Sequence, residues 1–454
     1  MTKVVTILKT RLSKRNLIFI GTMLFGLFFG AGNLIFPIYL GQQAGQHLGG
    51  AIVGLLITGI GLPLLGVIGI GLTRSEGVFE LATTVSRPYA YIFTVALYLT
   101  LGPLFAMPRL ATTAFQIGIA PFLAKSQQTS VLLAFSVAFF IVTWLLARNP
   151  GKLMTYIGKW LTPLFLLLLG SLIVVALVKP LGNFNVAAQG AYTSHPILAG
   201  FTEGYNTMDA LASLAFGIVV IDAIRDLGVT EPGQIATDTI KAGLISMTLM
   251  AVIYALLAVM GTLSLGQFSA AANGGVTLAQ LAHYYFGDFG NLLLALIVII
   301  ACLKTSIGLT SAFGDTGHSM FPKLPYAGLI GFACIVPAVL ANVGLTQLIS
   351  YSTPVLMLLY PLAIVLILLA VLSPWLGKSR WLFAMTTAWT LIPAILAGLV
   401  ALPKFLLQNA IGHWLLQVNG ALPLAELGLG WTVPALIGLI LGLIGQNWQA
   451  HRQS

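Results

Sequence analysis

Long apolar runs separated by short polar breaks make up almost the whole chain. The runs fall at residues 17–40, 48–72, 89–119, 131–148, 153–179, 200–225, 239–265, 288–314, 326–343, 346–373, 381–402 and 430–448. Each approaches or exceeds the ~20 residues a helix needs to cross the hydrocarbon of a bilayer. In lipid, a helix is the element that satisfies its own backbone groups. The pattern therefore predicts an all-α membrane protein with twelve transmembrane helices. The third run is the longest and holds Pro103 and Pro108, so a tilted, kinked helix is expected there. A short surface helix is predicted near Thr277–Phe286. The loop before the last run carries Lys404, His413 and Glu426, with Trp414 and Trp431 placed near headgroup level. The basic N-terminal segment passes straight into a full-length run without an A-x-A-type cleavage site, which predicts an uncleaved first helix.

One of these runs is interrupted at its middle. Residues 28–37 read FFGAGNLIFP, and Gly30, Ala31, Gly32 and Asn33 favour a break in the helix, with Pro37 removing a further donor. Freed backbone at mid-membrane persists only where it lines a cavity or holds something. The competing reading is a glycine seam for close helix packing. If the first five runs form one repeat and the next five its inverted copy, the sixth run should be broken as well. Phe216 and Gly217 lie near the centre of that run, so the second break is expected at Ala215–Ile218. The implied division is an N-terminal segment 1–16, a first five-helix repeat 17–179, a loop 180–199, a second repeat 200–373, and two peripheral helices in 374–454.

Charge orients the chain and excludes some functions. Only 7% of residues are charged and 58% are hydrophobic, against roughly 25% charged in a soluble domain. The net charge of +10 is scattered over short loops, so no nucleic-acid footprint is read from it. With a cytoplasmic N-terminus, sixteen lysines and arginines fall on inner segments and three (Lys125, Lys179, Lys404) on outer ones. That split predicts two cytoplasmic termini. Cys302 and Cys334 lie in apolar runs and suggest neither a disulfide nor a metal framework. The six histidines form no ligand cluster, and no catalytic motif is present, so neither an enzyme nor a bound cofactor is expected.

The polar residues inside the runs are the candidate chemistry. The amides opening the second half-helix at Gly30–Asn33 suit a carboxylate, and carbonyls at Gly26 and Phe29 suit a small cation. Thr305 and Ser306 in the eighth run offer hydroxyls at the right depth, although such hydroxyls often bond the carbonyl four residues back. Lys304 is costly near the bilayer centre and is a functional candidate by default. It either replaces a coupling cation and exchanges a proton, or has a structural role such as donating to a helix end. Arg109 and Asp209 are expected at matching depth, as an ion pair that is either part of an outer gate or purely structural.

These residues also resemble a known family. GLFFGAGNLIFP at 26–37, GPLFAMPRLATTAFQIGIAP at 102–121, NPGKL at 149–153, GYNTMDALASLAFGIVV at 204–220, ACLKTSIGLT at 301–310, NVGLTQLI at 342–349 and LPLAELGLGW at 422–431 are similar, in order, to segments of the bacterial branched-chain amino acid:cation symporters. That family belongs to the amino acid–polyamine–cation superfamily. The resemblance implies the leucine-transporter fold, with a five-plus-five inverted repeat and two peripheral helices, in the bacterial cytoplasmic membrane. It implies uptake of leucine, isoleucine and valine by cation symport, with Na+ the favoured coupling ion, H+ possible through Lys304, and no other cofactor. By that likeness Gly30, Ala31, Gly32 and Asn33 hold the substrate carboxylate, Phe216 and Gly217 form the sixth-helix side of the pocket, and Gly26, Phe29, Thr305 and Ser306 form a sodium site. Asn33 matches a side-chain ligand of a second sodium in some sodium-coupled members of that fold. Lys304 departs from the neutral residue common there and keeps proton coupling or ion-independent exchange open. A proton-coupled permease or exchanger for other small neutral amino acids is the alternative, and a membrane enzyme or a channel a remote one. Oligomeric state is not legible in the sequence.

Overall fold

The computed structural model describes residues 11–425 and 428–453; Lys3, Lys9 and Glu426 of the predicted segments lie outside them. The described residues contain no strand. The first apolar run is two helices, α1 (Lys14–Phe28) and α2 (Ala31–Ala44). Ser13 starts α1 by accepting the Asn16 amide at 3.2 Å. Helices α3 (Leu48–Leu56) and α4 (Leu62–Thr73) form the second, joined by a π turn at Ile57–Gly61. A short connector, α5 (Val78–Thr83), precedes α6 (Arg87–Leu99) and α7 (Ala106–Gly118). Those two meet at the expected kink, where Gly102 leaves helical conformation just before Pro103.

Next come α8 (Gln128–Ala147) and α9 (Thr162–Val178), then α10 (Pro196–Tyr205) and α11 (Asp209–Asp226), which meet at a 42° bend. The rest are α12 (Pro232–Ser264), α13 (Gly274–Phe286), α14 (Asp288–Met320), α15 (Tyr326–Leu340), α16 (Leu345–Leu376), α17 (Arg380–Val400), α18 (Ala410–Gly420) and α19 (Thr432–Gln453). Among the described residues nine helices are long and apolar enough to cross a bilayer, or ten if the bent pair counts as one. By that measure the count stops short of twelve, partly because α1 is only 15 residues long and Ala31–Thr73 runs as one 43-residue path.

Glycines let the helix backbones touch. Gly41 of α2 faces the Ala258 carbonyl of α12, and Gly261 of α12 faces the Ile38 carbonyl of α2. Gly54 of α3 and Gly200 of α10 oppose each other's helices in the same reciprocal way, at the carbonyls of Ile197 and Ala51. A Cβ at any of these positions would collide with backbone, so in lipid close approach through small residues holds these pairs. A buried polar staple reinforces them. Gln42 donates to Ser264 Oγ (2.8 Å) and accepts from the Ala271 amide (3.0 Å) and Thr277 hydroxyl (2.9 Å), tying α2, α12 and α13 together. Helices α1, α11 and α14 form the centre of the bundle, and α14 is buried from Lys304 through Ala312.

Candidate functional site

The break between α1 and α2 falls at Phe29 and Gly30, inside the stretch the sequence singles out. The Gly30 amide turns to the Phe28 carbonyl (2.9 Å) and to Asn33 Oδ1 (2.9 Å). The Gly26 carbonyl thereby loses its usual helical donor four residues on. Helix α2 then opens with Ala31 and Gly32 in its first turn, where the dipole is positive.

The second break lies elsewhere than expected. It falls at Asn206–Met208, not at Ala215–Ile218, and Phe216 and Gly217 sit inside the unbroken α11. Met208 occupies the left-handed region (φ 64°), which a non-glycine side chain rarely adopts. Surrounding groups hold it there. The Tyr360 hydroxyl bonds the Tyr205 carbonyl, their rings lie 4.7 Å apart, and Arg109 reaches the Asn206 carbonyl at 3.4 Å. Gly217 does not reach the cavity: its open face meets Ile70, so it serves packing of α11 on α4.

The two breaks face one cavity. Gly30, Ala31, Gly32, Asn33, Arg109, Asp209, Phe216 and Thr305 all line it, joined by Thr207 and Met208. Leu27, Phe28, Leu101, Leu110 and Leu309 supply an apolar wall. The cavity measures about 50 Å³, well below the ~300 Å³ of a typical ligand pocket, so a ligand enters only if the surrounding helices part. Beside it lies a wider cavity of about 520 Å³ that shares Gly32 and Arg109 with it and is bordered by α2, α7 and α13. Arg109 thus stands between the two spaces, its guanidinium over the Phe36 ring at 5.1 Å.

The expected Arg109–Asp209 pair does not form. Arg109 is turned to Phe36 and Asn206, and no ion pair to Asp209 exists among the described residues. Asp209, 2% exposed in the first turn of α11, accepts on Oδ2 from Asn33 Nδ2 (2.8 Å) and the Tyr254 hydroxyl (2.7 Å). Asn33 Nδ2 also contacts that hydroxyl. Helices α2, α11 and α12 are thereby joined by one polar cluster. Sequence reasoning missed Tyr254, although a lone phenol deep in an aliphatic helix was a usable signal, since a buried hydroxyl needs a partner.

The residues proposed for a sodium site do not all converge. Thr305 faces Gly30, its Oγ1 3.2 Å from where a Cβ there would sit, and it has no hydrogen-bond partner among the described residues. Ser306 points the other way and accepts from Thr143 of α8 at 3.2 Å, because adjacent helix residues are ~100° apart around the axis. The Phe29 side chain packs between Phe25 (5.0 Å) and Phe165 (5.2 Å). Lys304 is wholly buried. Its stem passes Gly26, and its Nζ lies 3.8 Å from the Phe165 ring centroid and 5.4 Å from that of Phe25, with no hydrogen-bond partner among the described residues. Thr162 Oγ1, against Gly26, is also buried without a partner. No cluster of histidine, cysteine or carboxylate ligands exists among the described residues.

Two solved structures share this architecture. MhsT in complex with L-phenylalanine superposes with TM-score 0.56 at 14% identity, over 96% of this chain and 99% of that one. Mhp1, a nucleobase-cation-symport-1 family transporter in a closed conformation with bromovinylhydantoin bound, gives 0.55 at 12% identity, over 96% and 93%. These likenesses establish the leucine-transporter-like fold. In sequence the chain is 46% identical over 437 residues to the branched-chain amino acid permease BrnQ of Lactobacillus delbrueckii subsp. lactis, covering 95% of this chain and 96% of that protein. It is 39% identical over 436 residues to BrnQ of Bacillus subtilis (strain 168), covering 96% and 97%. A family model described as branched-chain amino acid transport protein matches residues 13–449. With broken helices around a central cavity, this fold and these relatives, the chain is a membrane transporter rather than an enzyme and belongs to the branched-chain amino acid transport protein family.

Proposed function

We propose that the protein imports leucine, isoleucine and valine by cation-coupled alternating access, with the substrate held where α1–α2 and α10–α11 are both broken. The observation that carries this reading is the two-sided character of the cavity. The first-turn amides of α2 suit a carboxylate, while Leu27, Phe28, Leu101, Leu110, Phe216 and Leu309 suit a branched aliphatic side chain. Burying a leucine side chain fully is worth about 1.5–3 kcal/mol, which disfavours alanine as the preferred substrate. The reciprocal glycine contacts of α2 with α12 and of α3 with α10 fit a bundle that rocks as a unit against α6–α8, α14 and α15. Arg109 then belongs to the gate on the wide-cavity side. The distribution of lysine and arginine supports a bacterial cytoplasmic membrane setting with both termini inside.

For the coupling ion, two readings differ by observation. Sodium draws support from the Gly26 carbonyl and the unpartnered Thr305 hydroxyl. A proton draws support from Lys304, whose amine lies against α1 without a partner among the described residues and in its protonated form would repel a second cation, and from Ser306 being engaged by Thr143. The observations favour the proton. The test is labelled leucine uptake into proteoliposomes under an imposed proton gradient or an imposed sodium gradient, each with choline controls, for wild type and Lys304→Val. Proton-driven accumulation that is lost or becomes sodium-dependent in Lys304→Val is the expected result. Sodium-driven accumulation in wild type overturns the role of Lys304, and accumulation under neither gradient overturns the substrate reading.

A further inference from the structure

The cavity contains a buried carboxyl, Asp209, that has no cationic partner among the described residues. Asp209 is fixed by hydrogen bonds from two helices, Asn33 on α2 and Tyr254 on α12, both directed to Oδ2. Asn33 is fixed in turn, because its Oδ1 accepts the Gly30 amide. The nearest pocket cation, Arg109, is committed to the Phe36 face and the Asn206 carbonyl. A carboxylate removed from water is costly unless paired and hydrogen-bonded. Two neutral donors on one oxygen satisfy part of that need and leave the charge unmatched.

The same cavity is lined by the start of α2, with Ala31 and Gly32 in the first turn, and Asn33 links that end of α2 to Asp209. One cavity therefore carries a positive pole of backbone amides and a negative pole at Asp209. A solute matching both is a zwitterion with adjacent carboxylate and ammonium groups. We infer that Asp209 is the acceptor for the α-ammonium of the transported amino acid, held in place by Asn33 and Tyr254, and that it restricts transport to solutes with a free α-amino group. This inference rests on the substrate reading above and adds to it the group that reads the amine. A site built to bond a substrate N–H strongly rejects the analogue that lacks it, because its buried acceptor is then left unpaired. An apolar wall alone discriminates far less.

The experiment is competition against labelled leucine on the purified full-length transporter. The competitors are leucine, its α-oxo and α-hydroxy analogues (same isobutyl group, same carboxylate, no ammonium) and isopentylamine. In wild type the α-oxo and α-hydroxy analogues are expected to bind at least ~1,000-fold more weakly than leucine. In Asp209→Asn, leucine affinity is expected to fall by at least ~100-fold while the hydroxy analogue changes by less than ~3-fold, so that discrimination collapses. A wild type that binds the hydroxy analogue within tenfold of leucine overturns the inference without any variant. So does an Asp209→Asn protein with wild-type leucine affinity, or one that loses leucine and the hydroxy analogue in equal proportion, as a merely structural aspartate would. Absence of leucine binding in wild type instead refutes the substrate reading itself.

Discussion

Replacing Tyr254 by phenylalanine removes one hydroxyl from the three-helix cluster and little else. The ring stays packed, since its neighbour Phe29 lies 6.1 Å away between centroids. The lost contacts are the 2.7 Å hydrogen bond to Asp209 Oδ2 and the one the hydroxyl accepts from Asn33 Nδ2, leaving the 2.8 Å bond from Asn33 Nδ2 as the remaining fixed donor on that oxygen. A hydrogen bond to a charged group contributes about 1.5–3 kcal/mol. At ~1.4 kcal/mol per decade, that corresponds to roughly 10–100-fold in leucine affinity if the carboxylate must hold its position to bind substrate. The clean form of the experiment is a cycle with Asp209→Asn, reading leucine Kd on detergent-purified protein alongside thermal unfolding. In the Asp209→Asn background the charge is gone, and Tyr254→Phe should cost less than ~10-fold because a neutral hydrogen bond is worth only about 0.5–1.5 kcal/mol. The expected coupling is on the order of 1 kcal/mol or more. A Tyr254→Phe transporter with leucine Kd within twofold of wild type refutes the reasoning, as do equal losses in the two backgrounds.

Other perturbations follow from the packing. Gly217→Ala meets first the flexible end of the Ile70 side chain and should leave the KM for leucine within about twofold while changing stability by less than ~2 kcal/mol, which uptake kinetics and a melting curve would check. Gly41→Val should drive α2 off the Ala258 carbonyl of α12 and lower the melting temperature or the folded yield sharply, whereas Gly331→Ala, with open space at its Cβ, should not. Arg109→Gln removes the cation over Phe36 and should increase reactivity of a cysteine placed at Thr207 toward a small polar thiol reagent added from the wide-cavity side; unchanged reactivity counts against a gating arginine.

Much of this was readable from the residues, and the failures have identifiable causes. The first break was legible because Gly30, Gly32 and Asn33 cluster in the middle of an apolar run, where local propensity and tertiary need agree. The second was misplaced by about ten residues, because Phe216-Gly217 lies closer to the run's centre while the real turn has no glycine. Its left-handed residue is Met208, held by contacts from α7 and α16 that no local pattern reveals. Depth along a helix was estimated adequately for Arg109 and Asp209, but their rotation about the helix axes was not, and rotation decides partners. The same gap separates Thr305 from Ser306: one step along α14 turns the first toward Gly30 and the second toward Thr143. Lys304 stood out in sequence by its cost in lipid, yet only its packing against Phe165 and Gly26 indicates where that charge is spent.

If branched-chain amino acids bind in the cavity between the two broken helices, a large side chain at Gly32 must exclude them. A Cβ at Gly32 would sit 3.1 Å from the Phe36 ring and 3.5 Å from the Arg109 guanidinium, so a leucine side chain there fills the cavity mouth. Labelled leucine uptake should be measured in proteoliposomes for wild type and Gly32→Leu, with isoleucine, valine and alanine as competitors and a melting curve to verify folding. The account predicts saturable uptake in wild type, inhibited by isoleucine and valine far better than by alanine, and no uptake in a folded Gly32→Leu protein. A folded Gly32→Leu transporter with wild-type KM for leucine would contradict it.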